Sequence, residues 1–385
     1  MNMDTIQNER FSIREIRINI LEPIIFPKPF YDATMGPFSS YRTMIMTIVD
    51  DSGYEGEIEY PLSCLAFFKE YFAPVLLESH NTSYSDIYQR MFWRIRNEGF
   101  KSEAAKALGY LDRIFYDIAA RRVGKPLHEY LGATRNWAKL YASGGSTSLT
   151  DDELIEECLG YMEDGYDTLK IKVGGDYGTH LQEDIKRIEK VRNALGFDIR
   201  LSLDFNQVLT VTQTLDFLEG IDGLDIFWIE EPIHSADILG MQELTSRTNM
   251  CISYGESERT HHAFHLMASA GIKHLQPVAN NMISIEAFNN VCDIATKHNL
   301  MLSCGSFPNV NAQLIAAQKE EAMCEYLIPI LKPLEPYFKI QPTIKDGKAL
   351  LPDIDGISVR FYWDKINKEN LIADTLLMKS KRVNY

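Results

Sequence analysis

Three carboxylates stand at equal intervals in this chain: Asp204, Glu230 and Glu256, with 26 residues separating each from the next. Each closes a short apolar run, LSLD, IFWIE and CISYGE, of the kind that forms a buried strand. Clustered like charges repel unless a cation lies among them, and an all-oxygen donor set favours magnesium over zinc or copper. Ion pairs along a rim are the structural alternative. One run earlier stands Lys170-Ile-Lys172, where alternation by two puts both ammonium groups on one face. A lysine crowded by a second cation and a metal has its pKa depressed, which would let it act as a base near neutral pH. Pairing with a neighbouring carboxylate accounts for one of these lysines but not for both.

The elements that must position these groups follow from the texture of the chain after Arg135. Eight β-rich runs, AKLYASG, TLKIKVG, RLSLDFN, DIFWIEEP, CISYGES, KHLQPVA, MLSCGSF and, less clearly, AMCEYLI, alternate with segments long enough for helices. DDELIEECLGYMEDGY and HLQEDIKRIEKVRNALG are examples. This order predicts a (β/α)8 barrel, with the three acids side by side at the C-terminal rim and the lysines on the neighbouring second strand. An open doubly wound sheet is the runner-up, disfavoured because no Gly-rich phosphate loop follows an early strand.

At 385 residues the chain is longer than the roughly 250 of a typical single barrel, which leaves room for a second, smaller domain. SIREIRINIL, YRTMIMTIVDD and GYEGEIEY alternate apolar with polar residues and predict a small meander. Between the first two lies PIIFPKPFYDATMGPFSS, where four prolines and a glycine are expected to break any regular element. A lid over the site and a loop packed on its own sheet both fit that segment. From about Leu62 to Leu131 the apolar spacing turns helical, so residues 1–133 read as an α+β domain. Residues 134–353 read as the barrel, and 354–385 as a tail returning to the first domain.

Composition narrows the partners. With 45% hydrophobic and 24% charged residues the chain is that of a packed protein. A net charge of -15 has the wrong sign for wrapping nucleic acid or sitting on an anionic membrane. No run approaches 18 apolar residues and no signal-peptide core opens the chain. The six cysteines form no CxxC pair, which favours reduced thiols and a cytoplasmic protein.

Taken together, Lys170-x-Lys172, LDFNQ with Asp204 and Asn206, WIEEP with Glu230, and GES with Glu256 resemble the enolase superfamily, specifically its mandelate racemase group. GKPLHEYLGA and DGKALLPDIDGISVRFYWD resemble further family segments, so the likeness covers nearly the whole chain. The resemblance implies an α/β fold: a modified TIM barrel of (β/α)7β type under an N-terminal α+β capping domain. It implies Mg2+ on Asp204, Glu230 and Glu256, holding a substrate carboxylate while a base removes the α-proton to give a metal-stabilised enediolate. It makes Lys172 that base, places Lys170 near the substrate carboxylate, and matches Glu325 to the glutamate that hydrogen-bonds it. Asn206 joins the substrate-binding set. The Pro-rich segment, with Phe26, Phe30, Tyr31 and Met35, becomes the specificity loop. The expected partner is a small-molecule carboxylate, and the expected assembly a homo-oligomer.

The chain also departs from the group, which carries an Asp at the end of strand six and a His at the end of strand seven as a second acid/base. The matching positions are Val278 and Gly305, and Lys273 lies too early in its strand to stand in. A racemase needs a group on each face, so the loss favours β-elimination of water from a sugar acid to a 2-keto-3-deoxy acid. A racemase or epimerase with an unrecognised second acid/base is the alternative, and a non-catalytic carboxylate-binding protein the third. For the missing acid, Glu258, Arg259, His261 and His262 follow Glu256 in sequence, although a histidine in a loop is also simply solvated. Cys304 and Tyr141 read more simply as packing residues.

Overall fold

The computed structural model describes residues 4–380; residues 1–3 and 381–385, at the ends of the first and last segments above, lie outside it. Eight parallel strands close into a barrel: Trp137–Gly144, Thr168–Lys172, Arg200–Asp204, Ile226–Glu230, Ile252–Tyr254, His274–Leu275, Met301–Cys304 and Met323–Leu327. The eighth pairs back onto the first, Glu325 opposite Tyr141. A helix of nine or more residues stands between each pair of successive strands, whereas the eighth is followed directly by the four-residue Ile328–Leu331 helix. Local chemistry starts these helices. Thr150 with Glu153, and Thr210 with Gln213, form reciprocal capping boxes at two N-termini, and Ser284 caps a third.

The N-terminal sheet is antiparallel, in the order Ile372–Lys379, Ile13–Leu21, Thr43–Asp50, Glu55–Pro61. The tail therefore supplies an edge strand to it. Thr43–Asp50 is buried along its whole length, on both faces, because Ile45 packs with Phe361 and Ile366 of the C-terminal segment. The 20-residue helix Glu103–Arg122, capped by Ser102, packs beside the Glu55–Pro61 strand and lies directly on the loop after the sixth barrel strand. A Cβ at Gly109 would collide with the Met282 carbonyl, so only glycine permits that approach.

The Pro-rich segment differs from the expectation. It forms a two-stranded ribbon, Ile24–Phe30 against Phe38–Tyr41. The ladder is irregular between Ile25 and Phe30, the interval that holds Pro27 and Pro29, so prolines that cannot donate sit where pairing is interrupted. Phe26 and Phe30 are core residues, while Met35 at the turn is exposed.

Asp112 on the long helix ties the two parts together. Its carboxylate accepts from Tyr84 Oη and, at 2.7 Å, from the backbone N–H of Ile285 at the start of a barrel helix. Burial pushes its pKa up to about 6, against the pull of Tyr84, Ile285 and Arg113. Because the folded pKa lies above the unfolded value of about 3.9, this group's stabilisation is complete below that pH and is lost as pH rises through 6. Asp112→Ala is expected to lower stability by about 2–4 kcal/mol in urea unfolding at pH 7, through two stranded donors. Asp112→Asn should remove a decline of up to about 3 kcal/mol that wild type shows between pH 4 and 7; an unchanged slope would contradict the assignment.

Candidate active site

The ends of the second, third and fourth strands fall in one register row, Lys172 opposite Asp204 and Asp204 opposite Glu230. Lys170 Nζ lies 2.5 Å from Glu230 Oε1, 2.7 Å from Glu325 Oε1 and 3.5 Å from Asp204 Oδ2. Lys172 Nζ pairs with that same Asp204 oxygen. These five side chains are buried. Glu325, from the eighth strand, also accepts from Ser306 N at 2.9 Å and Ser306 Oγ at 3.2 Å. Trp228 Nε1 donates to the second Glu230 oxygen at 3.1 Å. The fifth strand stops at Tyr254, so Glu256 stands two residues past it, half-buried in the following turn.

Carboxylates dominate the electrostatics around the two lysines. Burial pulls both lysines down, but the carboxylates outweigh it: Glu230, Glu325 and Asp204 hold Lys170 well above the ordinary value. Lys172 is raised as well, with Asp204 pulling it up and Lys170 opposing. The depressed lysine expected from the sequence is one beside a bound metal; here the lysines lie among the acids alone, which outnumber them. On the acid side, burial raises Asp204, yet Lys172 and Lys170 overcome it and bring the carboxyl to about 2. Burial keeps Glu230, Glu231 and Glu256 raised.

Five carboxyl groups, Asp204, Glu230, Glu231, Glu256 and Glu325, thus share one mouth with two ammonium groups. Among the described residues, no three His, Cys, Asp or Glu side chains converge as a ready ligand set, and the lysines hold the Asp204 and Glu230 oxygens. The donor chemistry nonetheless fits a hard divalent cation: every candidate is a carboxylate, negative charge is in excess, and Asn206 Oδ1 nearby is buried without a partner. The Asn206 backbone, at φ 46°, donates to Asp204 Oδ1 at 3.0 Å.

Gln207, which the sequence did not single out, braces the three rim loops. Its Nε2 donates to Glu231 Oε2 at 2.5 Å and to Ser257 Oγ at 2.9 Å, and its Oε1 accepts from Ser235 N at 2.9 Å. Its place directly after Asn206 in LDFNQ was the available signal.

The other candidates lie on the surrounding rim. Tyr31 docks on the loop after the first strand: its N–H donates to Ser146 Oγ at 2.8 Å and its carbonyl accepts from Thr147 N at 3.1 Å. Arg259 donates to the carbonyls of Glu256 and Glu258 at 2.9 and 3.1 Å, bracing its own turn. Glu258 is buried on Lys101 of the N-terminal part, 2.5 Å away. His261 opens the next helix with its ring 4.2 Å from that of His262, and burial together with His262 holds its pKa down. Tyr141 lies under Lys170, which sits 5.7 Å from its ring centre. Cys304 is buried and accepts from Ala279 N. Val278 and Gly305 meet side by side just past the ends of the paired sixth and seventh strands: a Cβ on Gly305 would lie 2.7 Å from Val278 Cγ2.

A sequence model described as Enolase C-terminal domain-like matches residues 153–365, more than half of the chain. The chain is 30% identical over 275 residues to the L-talarate/galactarate dehydratase of Salmonella typhimurium LT2, a match covering 70% of this chain and 67% of that enzyme. It is 23% identical over 363 residues to the 3,6-anhydro-alpha-L-galactonate cycloisomerase of Streptomyces coelicolor A3(2), covering 92% and 99% of the two. The crystal structure of the Salmonella dehydratase liganded with Mg and L-lyxarohydroxamate superposes with a TM-score of 0.84 at 22% identity, over 97% of this chain and 96% of that one. Both relatives are enzymes, one a dehydratase and the other an isomerase. By the match over its barrel and by the relative that spans two thirds of its length, this chain belongs to the enolase superfamily.

Proposed function

We propose that this protein removes the proton α to the carboxylate of a sugar acid and eliminates water to give a 2-keto-3-deoxy acid. The observation that carries the reading is the one-sided placement of the amines. Lys170 and Lys172 are set into the carboxylate row from the second strand, while the sixth and seventh strands meet it with Val278 and Gly305. A base on one face suits elimination, and 1,1-proton transfer asks for a partner on the other.

In this reading Asp204, Glu230 and Glu256 hold Mg2+, the ion with which the Salmonella enzyme was crystallised. When bound, the ion supplies positive charge that stabilises the substrate's developing enediolate. Lys172 takes the α-proton. Lys170, held by Glu325 and Glu230, presents a second positive charge to the substrate carboxylate, and Asn206, with Glu325 once protonated, donates to its oxygens. Tyr31 carries the ribbon turn across the mouth and helps exclude water. Arg259 and His261 border the same rim and complete the substrate-binding set. The isomerase reading is favoured by the cycloisomerase match, which spans that relative almost completely.

The test is product analysis on aldonic, aldaric and uronic acids. Wild type with Mg2+ is expected to yield a 2-keto-3-deoxy acid, chelation to stop it and added Mg2+ to restore it. Asp204→Asn should weaken Mg2+ binding, measured by titration calorimetry, by at least the roughly 100-fold that loss of an outer-shell partner can cause. A product of unchanged mass would move the assignment to an isomerase. Undiminished Mg2+ binding in Asp204→Asn would remove Asp204 from the metal set.

A further inference from the structure

The elimination leaves one role unfilled, the acid that protonates the departing hydroxide. We propose that Glu59 of the N-terminal sheet, held by Tyr41, is that acid; the inference rests on the dehydratase reading above.

In an eight-stranded barrel the sixth strand lies across from the second, so the face opposite Lys172 is bordered by the loops after strands six and seven. Those loops are where the N-terminal part descends. The helix carrying Lys106 and Tyr110 sits on the strand-six loop, where Arg113 donates to the Asn280 carbonyl at 3.3 Å and Gly109 approaches Met282. Tyr41 sits on the strand-seven loop, its ring 6.2 Å from that of Phe307. Phe307 directly follows Ser306, which donates to Glu325, the carboxylate on Lys170. A continuous set of contacts therefore runs from the lysine side of the mouth to Tyr41.

Tyr41 Oη donates to Glu59 Oε1, and Thr43 Oγ1 donates to the same oxygen at 3.2 Å. Among the described residues Oε2 has no hydrogen-bond partner, which leaves one oxygen able to carry and release a proton. Burial pushes the Glu59 carboxyl up, with Tyr41, Thr43 and Lys106 pulling back. The titratable groups facing it are Tyr41, Lys106 and Tyr110. Sequence offered a weak signal: in EGEIEY the alternation puts Glu55, Glu57 and Glu59 on one face, and both Glu57 and Glu59 are half-buried.

The step balances. Lys172 takes the α-proton and the C–H electron pair becomes the new C=C bond. The β-C–O bond breaks, and the oxygen leaves with the Glu59 proton as water. Solvent then reprotonates Glu59, Lys172 returns its proton to solvent, and the enol ketonises; no co-reactant is consumed. With base and acid on opposite sides, the elimination is anti.

The experiment compares product formation with α-deuteration of recovered substrate in D2O for wild type, Glu59→Gln and Tyr41→Phe, each loaded with Mg2+. Glu59→Gln is expected to lose at least about 100-fold in product formation while α-deuteration persists, because Lys172 still removes the proton. Tyr41→Phe keeps the acid but loses a donor to its anion, so the alkaline fall in product formation should move to higher pH. Wild-type product rates in Glu59→Gln overturn the assignment, as does a parallel loss of exchange and product, or an unmoved alkaline limb in Tyr41→Phe. Wild type that deuterates no acid sinks the functional reading, and this inference with it; active wild type beside an equally active Glu59→Gln sinks only the inference.

Discussion

The structure depends on one electrostatic imbalance: five carboxyl groups and two ammonium groups brought to the mouth of a barrel that excludes water. Lys170 alone touches acids from the third, fourth and eighth strands, so it stitches the barrel across its closure as well as along its rim. Isolated buried acids would neutralise instead of staying charged, and Glu230 and Glu231, both raised by burial, show that tendency. Asp204, shared between both lysines, does not. The same oxygens that would hold a cation are those that hold the amines. Lys172 is kept protonated by Asp204, and an Asp204 carboxylate engaged elsewhere would leave it a freer base.

The rest of the fold serves that mouth. Beneath it the barrel interior is polar and partly paired: His274 Nε2 lies 2.8 Å from Ser303 Oγ, Ser253 donates to Gln276 at 2.7 Å and Gln276 meets the Tyr141 hydroxyl, while His274 Nδ1 and Ser202 Oγ have no hydrogen-bond partner among the described residues. Burial and Lys170 bring the His274 pKa to about 3, so that ring stays neutral under the charged layer. Above it, the N-terminal part descends on two sides, the ribbon turn onto Ser146 and Thr147 and the long helix onto the strand-six loop. Lys101 bridges Glu258 and Ser235 between them.

Much of this was legible in the chain. The barrel was readable because eight apolar runs recur at helix-sized intervals, and the acid row because Asp204 and Glu230 end their strands. Other features were not, for identifiable reasons. The ribbon at Ile24–Phe30 escaped because its prolines fall where the ladder is interrupted, and local turn chemistry cannot reveal which N–H groups go unpaired. Spacing placed the two lysines on one face, but not the way Lys170 is shared among acids of the third, fourth and eighth strands, which depends on barrel closure. The sequence placed Glu258 and Arg259 after Glu256 but could not show that Glu258 reaches Lys101 of the N-terminal part or that Arg259 donates to the carbonyls of its own turn. Gln207, Tyr41 and Glu59 act through contacts between distant segments, which periodicity does not encode.

The most direct measurement is deuterium incorporation at the α-carbon of sugar acids in D2O, followed by NMR for wild type and Lys172→Ala, each with and without Mg2+. The account predicts exchange only when both the metal and Lys172 are present, with Lys172→Ala still binding Mg2+. Exchange that survives the loss of Lys172, or that proceeds equally well without the metal, would contradict it.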